Sequence, residues 1–74
     1  MSYPHYVYVI EVETRLNEKI QYHKISQECY STYEKAKEFI LNRADKPEEI
    51  SYWIFRSESR TYSIREIRLL FGGN

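Results

Sequence analysis

The sequence predicts a small α+β domain with a ββαββ layout, in which one amphipathic helix packs on one face of an antiparallel sheet. Three observations support this class. A capped amphipathic segment, residues 32–44, lies in the middle of the 74-residue chain. Segments rich in aromatic and β-branched residues, which favour strands, flank it on both sides. With two glycines and two prolines, the composition is also unlike that of a disordered chain.

The chain shows no internal change of composition, so we expect a single domain over residues 1–74. Eleven basic and eleven acidic residues cancel, which leaves no overall charge that would attract a polyanion. A single cysteine excludes an internal disulfide. Because neither a signal peptide nor a membrane-spanning apolar run is visible, we expect a cytoplasmic protein that does not associate with a membrane.

The first strand is predicted over residues 6–14 and the second over residues 19–30. The even-numbered apolar side chains of the first strand share one face. They are Tyr6, Tyr8, Ile10 and Val12. Because Val7 and Val9 make the opposite face apolar as well, we expect this strand to be central in the sheet. The second strand changes phase near residues 23–24, which predicts a β-bulge there.

The helix is predicted over residues 32–44. Ser31 and Glu34 have the spacing of a capping box, in which each side chain bonds the backbone N–H of the other residue. Pro47 disfavours helix at the residue before it, so the helix should end near residues 44–45. A helical repeat places the apolar side chains in one stripe with two flanking members. The stripe is Tyr33, Ala36, Ile40 and Ala44, and the flanking residues are Phe39 and Leu41.

A third strand is predicted over residues 51–57, where aromatic and apolar side chains occupy both faces. A fourth strand is predicted over residues 61–70. Its buried face is ambiguous, because Ile64 and Ile67 are three residues apart. A short helix over residues 63–71 is therefore an alternative to the end of this strand.

The candidate binding surface combines aromatic residues and arginines of the last two strands. Its members are Tyr52, Trp53, Arg56, Arg60, Tyr62, Arg65 and Arg68. One helix shields one face of a sheet, so aromatic side chains on the other face should remain for a protein partner or a second copy of the chain. Tryptophan, tyrosine and arginine are also the residues that dominate binding hot spots. For Trp53 alone, a position in the core is the alternative.

The same residues suit a second function, the binding of single-stranded nucleic acid by base stacking and phosphate contacts. The zero net charge and the absence of a nucleic-acid-binding signature argue against it. A small-ligand pocket is a third candidate. If the arginines are not the site, the exposed helix face with Glu34, Lys35, Glu38 and Asn42 is the next candidate.

Motifs that carry catalysis are missing from the sequence. The two adjacent glycines lie at the C-terminal end, and no phosphate-binding loop is present. His5, His23 and Cys29 lack the spacing of a zinc site, and Cys29 is expected to be a buried structural thiol. We therefore expect a protein that is not an enzyme and that needs no metal or cofactor.

The helix segment Y-S-T-Y-E-K-A-K-E-F-I, between an N-terminal strand pair and an aromatic hairpin, resembles small uncharacterised domains of phages, prophages and Gram-positive bacteria. The matching residues are Ser31 or Thr32, Glu34, Lys35, Ala36, Phe39 and Ile40. The resemblance implies a compact phage or mobile-element accessory protein, such as an inhibitor of a host protein. It transfers no functional residue to this chain.

The expected absence of a metal gives a direct prediction. Treatment with a chelator should leave the thermal melt unchanged, because no set of residues in the sequence offers three or four preorganised ligands. The measurement is a circular dichroism melt with and without EDTA, at matched ionic strength. A clear drop of the melting temperature in EDTA would show that the expectation is wrong.

Overall fold

The fold was determined from a computed structural model that describes residues 4–16, 19–25 and 28–70. In these ranges it contains one helix and five strands. They are β1 (Pro4–Leu16), β2 (Lys19–Ile25), α1 (Tyr33–Leu41), β3 (Glu48–Ser51), β4 (Ile54–Arg56) and β5 (Arg60–Leu70). The predicted α+β class is confirmed, because the strands form one antiparallel sheet and the helix packs on one of its faces.

The strands are ordered β2-β1-β5-β4-β3, so β1 lies between two neighbours, as the apolar residues on both of its faces predict. The longest ladder joins β1 to β5 and runs from the pair Pro4 and Leu70 to the pair Thr14 and Arg60. This ladder connects segments near the two ends of the described chain. The sheet is therefore built around a long-range pairing, to which β2 and the short β3–β4 hairpin are added.

The core lies between the helix and one face of the sheet. Its buried side chains are Ile10, Tyr33, Ala36, Ile40, Phe55, Tyr62 and Ile64. Tyr8 and Val12 pack against this cluster, so the face of β1 that carries the even-numbered apolar residues is the one that meets the helix. Ile64 points into the core, whereas Ile67 lies on the opposite face and is 37% exposed. Residues 63–70 are strand and not helix, and Phe71 lies outside the described residues.

The opposite face of the sheet, called the open face below, has no helix over it. Strand alternation places Val7, Val9, Ile54, Ile67 and Leu69 on this face. Val9 is buried, but Ile54, Ile67 and Leu69 are each more than a third exposed. The predicted surplus of apolar surface is therefore present, although it is aliphatic and not aromatic.

The helix begins one residue later than the capping box predicts. Thr32 is the N-cap, with extended backbone angles (φ −137°, ψ 156°), and its hydroxyl accepts from the Lys35 backbone N–H at 3.1 Å. The Ser31 hydroxyl contacts the Lys35 ammonium at 3.2 Å instead. Either residue can cap a helix. The first helical residue is Tyr33, and its side chain is buried in the core.

The helix also ends earlier than predicted, at Leu41. The N–H of Arg43 bonds the carbonyl of Ile40 at 3.1 Å, so the chain leaves the α-helical spacing in a tighter turn. Lys46 then adopts a positive φ of 50° before the buried Pro47. The buried stripe is consequently narrower than predicted. Tyr33, Ala36 and Ile40 are buried, whereas Phe39, Leu41 and Ala44 are exposed.

The predicted third strand, residues 51–57, is divided in the structure. Tyr52 and Trp53 form a two-residue turn between Ser51 and Ile54, which pair with each other. The first half of the prediction therefore belongs to the end of β3 and the turn, and the second half to β4. Strand propensity misled here, because tyrosine and tryptophan favour strands by residue type, whereas tertiary contacts hold them in a turn.

The predicted second strand, residues 19–30, is shorter in the structure, where β2 ends at Ile25. Residues 26–27 lie outside the described ranges, and Tyr30 returns to form a bridge with Tyr8 through two backbone hydrogen bonds of 2.8 Å. The irregularity of this strand lies at Gln21, because Thr14 pairs with Tyr22 and Arg15 with Ile20. The bulge predicted at residues 23–24 is thus placed earlier in the chain.

The capping geometry generates a matched pair of substitutions. Thr32→Ala should lower the free energy of unfolding by about 1 kcal/mol, because the Lys35 N–H loses its acceptor. Ser31→Ala should cost less than about 0.5 kcal/mol, as expected for an exposed position outside the cap. Urea unfolding followed by circular dichroism measures both. A larger loss for Ser31→Ala than for Thr32→Ala would contradict the assignment of the cap.

Candidate functional site

The most exposed apolar segment of the described chain is the end of the β3–β4 hairpin, residues 50–54, called the hairpin tip below. Ile50 is 57% exposed, Tyr52 53%, Trp53 39% and Ile54 37%. These four large side chains lie within five consecutive residues. Such a concentration of exposed apolar surface is typical of interaction sites and rare elsewhere on a small soluble domain.

The two aromatic residues of the tip are held by Tyr33, the first residue of the helix. The rings of Tyr33 and Tyr52 are stacked, with centroids 4.0 Å apart and planes 6° apart. The Trp53 ring stands edge-on to both, at 5.4 Å from Tyr33 and 4.7 Å from Tyr52. Offset-stacked and edge-to-face pairs are the favourable arrangements of aromatic rings. The three rings therefore form one packed cluster, and only Tyr33 is buried in it.

Hydrogen bonds to the two backbone carbonyls of the turn fix it from two sides. The Tyr33 hydroxyl donates to the carbonyl of Tyr52, and the N–H of Ile64 on β5 donates to the carbonyl of Trp53 at 2.8 Å. Both bonds come from residues whose side chains belong to the core. The position of the tip is thus set by the helix and by β5, and not by the turn alone.

The local sequence lacks the residues that usually form such a turn. Two-residue hairpin loops favour Asn-Gly or Gly-containing pairs with positive φ, whereas Tyr52 and Trp53 both have negative φ. Ile50 is the unmatched residue of an irregularity in β3, because Glu49 pairs with Phe55 and Ser51 with Ile54. Such a bulge re-aims side chains. Ring packing and the bulge together produce a turn that the residue types at positions 52 and 53 do not predict.

Two carboxylates and one ammonium group act on Tyr33, the residue on which the tip packs. The Lys37 Nζ lies 3.0 Å from Glu49 Oε1 in an ion pair. The hydrogen bond to Glu49 raises the pKa of Lys37. Burial raises the pKa of Tyr33, Lys37 opposes this effect, and the charges of Glu49 and Glu34 add to it. A rim with more carboxylates than ammonium groups favours a partner with basic groups at matching positions.

Tyr8 adds a further acidic contact beside the aromatic cluster. Its hydroxyl donates to the Glu66 carboxylate at 2.8 Å. This hydrogen bond is the main reason that the pKa of Tyr8 is raised, and the nearby Tyr52 and Glu34 act in the same direction. The Glu66 carboxylate is thus oriented on the helix side of the sheet, near the same edge as the tip.

The seven residues predicted as one binding surface do not share a surface. Tyr52 and Trp53 lie at the hairpin tip, as exposed aromatic groups. Arg56 and Arg65 lie on the open face, where Arg65 is paired with Glu11 at 2.9 Å. The remaining three, Arg60, Tyr62 and Arg68, point to the helix side of β5. The single aromatic and arginine face is therefore a wrong prediction, because side chains of a strand alternate between its two faces.

Tyr62 is buried, with 1% of its surface exposed, so it is a core residue and not an exposed anchor. Its hydroxyl donates to Asp45 Oδ2 at 2.8 Å, and the Ser57 hydroxyl donates to the same oxygen at 2.5 Å. These bonds join the loop after the helix, the β4–β5 turn and the core. No motif in the sequence indicates this network.

Burial raises the pKa of Asp45, but the hydrogen bonds from Ser57 and Tyr62 and the charge of Arg60 outweigh it, so the pKa lies below its usual value. The carboxylate is therefore favoured in the folded state. The lowered pKa reflects a structural role, because Ser57, Tyr62 and Arg60 belong to the turn and strand that the Asp45 carboxylate joins to the loop after the helix.

Metal-binding residues, the cysteine and surface depressions provide weaker candidates for a functional site. Among residues 4–16, 19–25 and 28–70, no three His, Cys, Asp or Glu side chains lie close enough to hold a metal ion. Cys29 is exposed and is not the buried thiol that the sequence predicts. A shallow, open depression lies on the outer face of the helix, where the Arg43 guanidinium is 5.5 Å from the Phe39 ring centroid. In the described part of the chain no helix is long and apolar enough to cross a membrane.

Comparison with known proteins finds no matching family model, no curated protein and no solved structure with significant similarity.

The Asp45 network generates a pH-dependent prediction. Asp45→Asn should destabilise the fold at neutral pH by about 1–3 kcal/mol, since charge-assisted bonds are lost. Because the folded-state pKa is lowered, the contribution of Asp45 is present above the unfolded pKa of about 4 and is lost as pH falls through the folded value.

The difference in unfolding free energy between the two proteins should accordingly shrink between about pH 5 and pH 2. Urea unfolding at a series of pH values measures it. Glu58→Gln, at an exposed carboxylate in the β4–β5 turn, is the matched control. A difference that stays constant down to the lowest pH would be incompatible with the role of Asp45.

Proposed function

We propose that this chain is a small, non-catalytic binding protein that acts by protein–protein interaction, with the hairpin tip as its anchor. The observation that carries the proposal is the pair Tyr52 and Trp53, exposed to solvent yet packed on Tyr33. Tryptophan and tyrosine are the residues most enriched in binding hot spots.

Preorganisation explains why this pair suits binding. A free aromatic side chain loses rotamer entropy when a partner immobilises it, at a cost of about 0.5–1.5 kcal/mol. At the tip, ring stacking and two hydrogen bonds to backbone carbonyls hold the turn in one position before any partner arrives. Less entropy is therefore lost on association, and more of the apolar contact energy becomes affinity.

The charges near the tip support a protein partner over a polyanion. Glu34, Glu49 and Glu66 raise the pKa of the tyrosines beside the tip, and Lys37 opposes this effect at Tyr33. The phosphates of a nucleic acid would be repelled at this rim. The complementary surface is an apolar pocket for Trp53 with basic side chains around it.

Single-stranded nucleic acid remains the alternative, because exposed aromatic rings can stack on bases of any sequence. The described arginines are divided between the two sides of the sheet and do not form a continuous basic track beside the tip. This alternative predicts binding that falls steeply with salt. A protein contact at an apolar pocket has a weaker salt dependence.

The resemblance of the helix segment to small phage and Gram-positive domains supports a more specific proposal. In this proposal the protein is an accessory of a phage or mobile element and inhibits a host protein by occupying its surface. The single cysteine, exposed and unpaired, is consistent with action in the reducing cytoplasm. A partner whose activity falls when one equivalent of the intact chain is added would support inhibition.

The central prediction concerns Trp53. Trp53→Ala should weaken the complex by roughly 30-fold, which corresponds to a hot-spot loss of about 2 kcal/mol. Phe39→Ala is the matched control, because Phe39 is an aromatic residue of similar exposure (42%) on the outer face of the helix. The partner is first captured from a nuclease-treated bacterial lysate and purified. Isothermal titration then gives the affinity of each variant.

Circular dichroism melts must show that both variants are folded, and Trp53→Phe should retain most of the affinity. Equal affinity of Trp53→Ala and the wild-type chain would refute the assignment of the anchor. Capture that is abolished by nuclease, together with binding of a labelled oligonucleotide, would instead support the nucleic-acid alternative.

A further inference from the structure

The side of β5 that faces β4 is paired with another strand over only part of its length. On one side β5 pairs with β1 over its whole length, from Arg60 to Leu70. On the other side, β4 pairs with residues 61–63, and the last contact is the bond from the Ile64 N–H to Trp53. Among the described residues, no strand pairs with this side of residues 65–70.

The backbone groups along this free edge point outward in a known order. In an antiparallel sheet, alternate residues direct both their N–H and C=O to the same neighbour. The N–H of Ile64 points to the β4 side. The N–H and C=O groups of Glu66 and Arg68 therefore point to the same side, where they have no strand partner among the described residues. This is the template on which an additional strand can form.

The side chains along the free edge separate by face. Glu66 and Arg68 are exposed on the helix side, and the Glu66 carboxylate is oriented by the Tyr8 hydroxyl at 2.8 Å. Ile67 and Leu69 lie on the open face, 37% and 36% exposed. An added strand would cover apolar groups on one face and meet alternating charges on the other.

We propose that the strand that occupies this edge is β5 of a second copy of the same chain, in antiparallel orientation, with the two-fold axis at Ile67. In this arrangement Glu66 lies opposite Arg68 of the second copy, and Arg68 lies opposite its Glu66. The two Ile67 side chains meet on the open face, beside Val7. Two hydrogen-bonded residue pairs supply about four backbone hydrogen bonds.

The charges of Glu66 and Arg68 favour this pairing register over the two registers adjacent to it. The outward N–H and C=O groups of the two strands also lie opposite each other when the two-fold axis is moved by one residue, to Glu66 or to Arg68. An axis at Glu66 would place the two Glu66 carboxylates opposite each other, and an axis at Arg68 would do the same for the guanidinium groups. Like charges directly opposite destabilise a strand pair, whereas opposite charges stabilise it. The axis at Ile67 is the choice that forms two ion pairs and no repulsion.

The geometry also limits the association. Trp53 occupies the position opposite Ile64, so pairing ends near Arg65 and covers five residues of each chain. A small contact of this kind is typical of weak, concentration-dependent dimers. Because the interface is isologous, it uses the free edge of both copies and closes, and it does not extend into a fibre. The outer strand β3 presents Glu48 and Glu49 instead, which oppose pairing of two copies there.

Sedimentation equilibrium of the intact chain over micromolar to millimolar concentrations tests the proposal through a charge exchange. The wild-type chain should dimerise. Glu66→Arg and Arg68→Glu should each reduce the association constant by at least about tenfold, because each converts two attractive pairs into repulsive ones. The double variant Glu66→Arg/Arg68→Glu should restore it to within about threefold of wild type.

Two controls separate this register from other causes. Glu58→Arg changes the same charge at an exposed turn residue and should leave the association constant unchanged. Tyr8→Phe removes the hydroxyl that contacts Glu66 and shows how much of the Glu66→Arg effect comes from that bond. A wild-type monomer at every concentration would overturn the proposal. So would a dimer that Glu66→Arg leaves intact, or a double variant that stays monomeric while remaining folded by circular dichroism.

Discussion

The ladder between β1 and β5 is the constraint on which the rest of the structure depends. It joins Pro4 to Leu70 and Thr14 to Arg60, so it closes nearly the whole chain into one unit. The inward residues of this ladder, Ile10 and Ile64 among them, form the floor on which the helix packs. Both β2 and the β3–β4 hairpin attach to its two sides. Loss of this pairing would leave every other element without a surface to bury against.

A second dependence links the core to the candidate site through Tyr33. Its ring is buried at the start of the helix, and it also contacts the rings of Tyr52 and Trp53. The hairpin tip is thus an extension of the core to the surface. A small domain with one helix has little apolar area to spare, and here the aromatic side chains contribute both to stability and to an exposed, rigid surface.

Residue type identified part of the candidate site, and strand geometry decided the rest. Tyr52 and Trp53 were predictable as candidate anchors because large aromatic residues dominate interfaces. Tyr62 belongs to the same chemical class, yet its position on β5 directs it into the core, where Asp45 accepts its hydroxyl. Sequence patterns do not show which face of a strand is covered until the neighbouring strands are known. The free edge of β5 is likewise invisible in the sequence.

The sequence by itself determined the α+β class, the presence of the helix and the shared face of Tyr8, Ile10 and Val12 on β1, because periodicity and capping residues act over a few positions. Tertiary structure decided where those elements stop. The helix ends at Leu41, before the loop whose Asp45 is held by Ser57 and Tyr62, and the predicted third strand breaks at Tyr52, where the ring of Tyr33 packs on the turn. These outcomes depend on contacts between residues far apart in the chain, and no local preference encodes them.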